Sequence, residues 1–268
     1  FGLGFIFGPL ISLIALEFTD NLGVPALIAS LYSFASILLT LFVFKETHPP
    51  EKRQNADDTS SGMISPITIL KTAGLPGVGV LLVLIFAQQV VFFGFEAMLG
   101  LFTLNRLGLL GQGNALIFLT VGFVLVIVQG RFIGRWSRRY GERRLVGAAL
   151  LLMGVGLVLV SITPETPHPL YVRQIALNEL RAQSDPDSTE AIIGEISVDL
   201  PPDDARGIAG IAWILVMIIP VSIGAGLIRP SLNSLLTKAV TKADYGRALG
   251  VSAALVSAAN AIAPISGG

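Results

Sequence analysis

Residues 75–102 read LPGVGVLLVLIFAQQVVFFGFEAMLGLF, twenty-eight positions with a single charged side chain, Glu96. A hydrocarbon core about 30 Å thick takes roughly 20 apolar residues to cross as a helix. A membrane β-strand would instead alternate apolar and polar residues over about ten positions. No such alternation is visible, so the stretch predicts a helix that spans a bilayer. The whole chain has the same character, with 53% apolar and only 13% charged residues in 268. That balance lies outside the soluble average and predicts an all-α, multi-pass membrane protein.

Six more apolar stretches can be marked out by the same criterion. The predicted spans are Phe1 to Leu16, Pro25 to Phe44, Leu75 to Phe102, Asn114 to Gln129, Leu145 to Ile162, Ile208 to Ile228 with a helical extension to Leu236, and Ala248 onward to Gly268. KETHPPEKRQNADDTSSGMISP, rich in charge, Pro and Ser, reads as a flexible linker after the second span. The chain has no initiator Met and no basic n-region, so the expectation is a piece that starts inside one span and stops inside another.

Lys and Arg accumulate on the cytoplasmic side of a membrane. Loops after spans two, four and six hold thirteen of them, against four in the opposite loops. Linker 45–74 and loop 131–144 are therefore expected to be cytoplasmic, in the cell (plasma or inner) membrane, with insertion 163–207 external. Nine acidic and three basic residues between Thr163 and Arg206 agree with that side. The insertion is expected to be disordered apart from a short surface helix in YVRQIALNELRAQ.

Net charge is zero, so no nucleic-acid partner is implied, and cysteine is absent, which removes disulfides and cysteine metal sites. His48 and His168 sit in HPP and PHP contexts and are expected to be solvated, with no metal role. Neither a Ser/His/Asp set nor a P-loop is present, so enzyme chemistry has no foothold.

GRFIGRWSRRYGERRL, Gly130 to Leu145, is expected to place six arginines in a turn between two helices. Gly134, Arg138, Arg139, Gly141, Arg143 and Arg144 follow a spacing that resembles the short loop motif of the major facilitator superfamily. Arg138 stands where the first-half copy of that motif carries an acid. The resemblance implies glycines that let helices approach closely and basic residues that pair with helix ends. GLGFIFGPLIS, at the start, is similar to the helix five signature of drug:proton exporters. FKET resembles the end of helix six, and FTLNRLGLLGQGNALIF through GERRL looks like helices seven to nine of tetracycline-type exporters. GAGLIRPSLNSLLTKAV and YGRALG fit helix ten and the start of helix eleven.

That resemblance implies a partial major facilitator fold, helices five to eleven, without the first four and the twelfth. Its parts would be 1–44, the end of the N-terminal half; 45–74, the linker; and 75–268, the C-terminal half. The implied activity is alternating-access export of a small amphipathic or drug-like compound in exchange for protons, without a cofactor, the proton gradient supplying the energy. Its implied partners are the small-molecule substrate, protons and the lipid bilayer, and the full-length protein would be a monomer. Two alternatives stand: an uptake symporter for a nutrient, marked by a polar cavity, and a receptor or scaffold whose acidic insertion binds a partner.

Gln88, Phe92 and Glu96 recur at four-residue spacing and share one face of the third span. An acid inside a membrane is a functional hypothesis by default. Glu96 would carry the proton or contact a cationic drug, with Phe92 and Phe93 as an aromatic wall; counted from Leu75, however, it would also sit near the outer interface, where an acid is cheap. Gln88 and Gln89 lie deeper and predict polar cavity lining. Arg229 is expected to snorkel from the end of its span. Asn260, one turn before Pro264, either satisfies backbone freed by that proline or faces the cavity. Aligning the chain's two ends pairs Gly4 with Ala259, Gly8 with Ala263 and Pro9 with Pro264, each proline preceded by a small residue one turn earlier. Small residues at that spacing predict close helix contacts that offset the proline cost, and the resemblance links Gly8 and Pro9 to export direction.

Overall fold

The computed structural model of the chain describes residues 2–18, 23–45, 72–183, 192–193, 196–197 and 199–267. His48 and nearly all of the expected linker lie outside them. Helices α1 (Gly2–Phe18) and α2 (Gly23–Phe42) come first, then α3 (Val78–Leu107) and α4 (Gly111–Ile127). A five-residue π-helical segment, Val128–Phe132, joins α4 without a break to α5 (Ile133–Tyr140). Then follow α6 (Glu142–Ser161), α7 (Arg173–Gln183), α8 (Ala209–Ala239) and α9 (Tyr245–Gly267). A minimal antiparallel hairpin, β1 (Ile192–Ile193) with β2 (Ile196–Ser197), sits in the insertion. Among the described residues, α2, α3, the continuous α4–α5 unit, α6, α8 and α9 are long and apolar enough to cross a membrane, and α1 is a shorter apolar helix.

Apolar residues around most of their circumference leave these helices no polar face to show water, so they pack on one side and meet lipid on the other. Helix α8 is central: α6 runs along it, and α3 and α4 also meet it. Ile214, Ile218, Val221, Ile228, Leu232 and Leu236 form its fully buried stripe. Helix α9 lies against α3 and α1 against α4. The outward faces carry Leu27, Leu31 and Phe34 on α2, Val80 and Val83 on α3, and Leu151, Val155 and Val158 on α6, all exposed. In water such a surface would drive aggregation; in a bilayer it is the solvated surface. Few polar bonds cross the interior. Thr103 Oγ1 donates to Asn114 Oδ1 at 2.6 Å, joining α3 to α4, and Trp213 Nε1–H donates to the Leu159 carbonyl at 2.9 Å, joining α8 to α6.

The basic segment differs from the expected turn. Arginine is a good helix former, and the chain stays helical through Tyr140, so Arg131, Arg135, Arg138 and Arg139 sit on helix. Gly141 alone breaks it, at φ +77°, a conformation that costs other residues more. Nothing lies within 4 Å of a Cβ built at Gly134, so that glycine makes no close helix contact among the described residues.

The described parts of the insertion are docked, which corrects the expectation of disorder there. Helix α3 ends in a left-handed cap: Gly108, at φ +64°, donates its N–H to Leu104 O, and Leu109 N–H reaches Thr103 O. His168 N–H then donates to Leu107 O and Gly207 N–H to Pro167 O. Arg106 pairs with Glu165 at 2.9 Å, and Asn105 Nδ2 donates to the Asp199 carbonyl. Tyr171 is buried with Leu104, Ala176, Leu180 and Leu200. Its ring fills the space beside Gly108, where a Cβ would clash with it. Burial pushes its hydroxyl up to about 12. His168 is half-buried, edge-on to Tyr171 at 5.8 Å, and not solvated as expected. Desolvation holds its imidazole below the usual histidine range, partly opposed by its hydrogen bond to the Gly108 backbone carbonyl.

Tyr171 Oη donates to the Pro201 carbonyl at 3.0 Å. Tyr171→Phe leaves that buried acceptor unpaired, a cost of about 1–3 kcal/mol. Amide exchange over 199–207 is expected to quicken by roughly tenfold, while α6 and α8 are unaffected. Equal exchange rates in the two proteins would show that this bond does not hold the insertion down.

Candidate functional site

Four polar side chains on α3 and α8 and one on the π segment converge between these elements. A cavity of about 570 Å³ is lined by Gln88, Gln89 and Phe92 from α3, Gln129 from the π segment, Ile133 from α5, and Ala225, Arg229, Pro230 and Asn233 from α8. Gln88 and Gln89 are buried and line this cavity. A π-helical segment and a proline inside a helix border the cavity. The π segment carries Gln129, and Pro230 removes a backbone donor inside α8. Non-helical backbone at membrane depth persists where it lines a cavity, and π-bulges gather at functional sites.

Arg229, expected to snorkel, is exposed and lines this cavity. Helix α8 continues for ten residues beyond it to Ala239, about 15 Å at 1.5 Å per residue. The residue therefore lies well inside the helix, among the residues that line the cavity.

Glu96 is placed differently again. A second cavity, about 530 Å³, is lined by Gly4, Phe5 and Pro9 of α1, Glu96 of α3 and Phe118 of α4. Glu96 Oε2 is buried there with no hydrogen-bond partner among the described residues. Helix α3 runs eleven residues past Glu96, about 16 Å, so the acid is not at the helix end that counting from Leu75 suggests. Aromatic rings stand between the two cavities: Phe5 lies 6.3 Å from Phe92 and 6.2 Å from Phe118. Phe93 adjoins Phe92 at 6.0 Å and lines neither cavity. Of the two rings expected to form a wall, Phe92 lines the larger cavity, and Phe5 stands beside it with Phe118 next to Phe5.

Gly8 faces a third space of about 440 Å³ between α1 and α2, with Gly4, Pro25 and Tyr32. A Cβ at Gly4 or Gly8 would meet nothing within 4 Å, so the expected close approach is not made there. It is made at Gly2, where a Cβ would lie 2.9 Å from Val126 N, and at Gly122, against the Phe5 and Ile6 backbone. At the other end of the chain, Ala259 and Ala263 are fully buried on α9, whose chief neighbour is α3. Pro264 continues α9 without ending it. Asn260 is exposed and lines none of the three spaces.

At the basic end, Arg138, Arg139, Arg143 and Arg144 are exposed, with Arg139 over the Tyr140 ring at 5.4 Å. The helix-to-helix contact belongs to Glu142, which sequence reasoning passed over. Its Oε1 accepts from Ser137 at 3.2 Å, from Ser234 at 3.1 Å and from Lys238, tying the Gly141 turn to the last turns of α8.

Spanning apolar helices wrapped around a polar, charged cavity define a multi-pass α-helical membrane protein. The sequence profile of the Major Facilitator Superfamily matches residues 1–177, and the chain belongs to that family of membrane transporters. No curated protein and no solved structure matches the chain. Members of the family move small molecules across membranes and are not enzymes.

Proposed function

We propose that the protein exports small amphipathic compounds in exchange for protons by alternating access, with the basic end cytoplasmic and the insertion outside. The observation that carries this reading is the pair of cavities separated by Phe5, Phe92 and Phe118. One offers amides, an arginine and an aromatic ring to a solute. The other holds one carboxylate with an unpartnered buried oxygen, facing Gly4 and Pro9 of the exporter-like signature. Intramembrane acids of that kind serve as proton carriers in transporters.

Glu96→Gln keeps shape and removes the titratable group. In everted vesicles loaded with a pH dye, substrate-driven proton release is expected to fall to background while substrate binding is retained. Unaltered proton release would overturn the coupling role.

A second reading, uptake of a polar nutrient by symport, has its own support. Five of the nine residues lining the larger cavity form hydrogen bonds, which suits a polar solute. Vesicle orientation separates the two: proton-driven accumulation in right-side-out vesicles supports symport, and accumulation in everted vesicles supports export.

A further inference from the structure

We infer that the larger cavity selects an organic anion, a carboxylate on a small apolar body, and that Arg229 is the residue that reads it. The inference rests on the reading of this cavity as the substrate site. Among the described lining residues there is one formal charge, and it is positive. Around it stand the amides of Gln88, Gln89, Gln129 and Asn233, whose N–H₂ groups donate to an oxyanion as readily as to a neutral solute. A guanidinium carries five N–H donors in a planar fork, so bonds to neighbouring protein groups are compatible with a fork-on-fork pair to a carboxylate.

Position strengthens the argument. Gln88 lies ten residues after the start of α3 and Arg229 ten before the end of α8, each about 15 Å into its helix. Arg229 is exposed at the cavity wall, so its guanidinium is open to a solute that enters. Phe92 supplies an apolar wall for the body of the solute. The acid that would favour an amine, Glu96, lines the other cavity, beyond the aromatic partition. An amine in the larger cavity would meet a guanidinium of like charge. A neutral amide would keep the hydrogen bonds and lose the charge-assisted part.

The test uses the full chain purified in detergent, with phenylacetate, phenylacetamide and phenethylamine as matched probes, followed by transport in proteoliposomes. Wild-type protein is expected to bind phenylacetate most tightly. Arg229→Gln should weaken phenylacetate by about 30-fold or more and leave phenylacetamide nearly unchanged. Arg229→Lys should retain the anion preference with an intermediate loss. Tighter binding of phenethylamine or phenylacetamide by wild-type protein overturns the inference without any variant, as does an unchanged phenylacetate affinity in folded, monodisperse Arg229→Gln. Phenylacetate binding without transport would overturn the export reading and support the anion site. Transport of all three probes at equal rates would overturn the anion site and leave transport standing.

Discussion

Gly224→Leu is expected to abolish accumulation of folded protein in the membrane. A Cβ at Gly224 would lie 2.6 Å from the Ala149 carbonyl oxygen and 3.0 Å from Met153 N. Across the same seam, a Cβ at Gly156 would lie 2.8 Å from Val221 N. These obstacles are backbone and do not rotate away. Helices α6 and α8 would have to separate, uncovering Ala149, Met153 and Val221, which are buried at present. Close small-residue contact is what drives helix association in lipid, where no hydrophobic force acts between helices. The loss is expected to reach about 3 kcal/mol or more, at the upper end for overpacking. Gly154→Leu is the control, because that position is exposed and a Cβ there meets nothing within 4 Å. Fluorescence-detected size-exclusion chromatography of a tagged chain should lose the monodisperse peak for Gly224→Leu and keep it for Gly154→Leu. Equal profiles would mean that the α6–α8 seam does not determine stability.

Gly122→Leu is expected to eliminate transport while the α6–α8 core remains folded. A Cβ at Gly122 would stand 2.9 Å from Phe5 C and 2.9 Å from Ile6 N, so α1 must lift off α4. Helix α1 supplies Gly4, Phe5 and Pro9 to the Glu96 cavity and one ring of the partition. Lifting it opens both. Hydrogen exchange reports the contact without a second substitution: the amides of α1 should exchange faster once Gly122→Leu is added, while those of α6 and α8 keep their rates. Unchanged exchange in α1 together with normal transport would refute the α1–α4 contact as functional.

Where the helices lie was readable from composition; where they end was not. The apolar stretch from Leu75 stops at Phe102, but α3 continues through Thr103, Asn105 and Arg106 to Leu107, because those residues tolerate helix and find partners, Thr103 on α4 and the other two in the insertion. Helix ends read from hydropathy edges therefore fall short: α3 runs eleven residues past Glu96 and α8 ten past Arg229. Gln88 and Gln89 announced themselves as amides deep in an apolar run. Gln129 fell on the last residue of a predicted span and Asn233 on an extension, and no periodicity marks the π segment that turns Gln129 to the cavity. GP in α1 drew attention to Gly4 and Gly8, yet the contacts fall on Gly2 and Gly122, since only the partner helix decides which small residue is touched. Order in the insertion was hidden for a related reason. Its polar composition reads as loop, and what holds it are backbone bonds to residues about 40 to 60 positions away, such as His168 to Leu107 and Gly210 to Thr166.

Those bonds bear on motion. Arg106 to Glu165, Thr166 to Gly210 and Pro167 to Gly207 tie the last turn of α3 to the first turn of α8. At that end the two helices form one lever. Among the described residues these ties hold α3 and α8 together at the insertion end, so separating the two helices there requires breaking them.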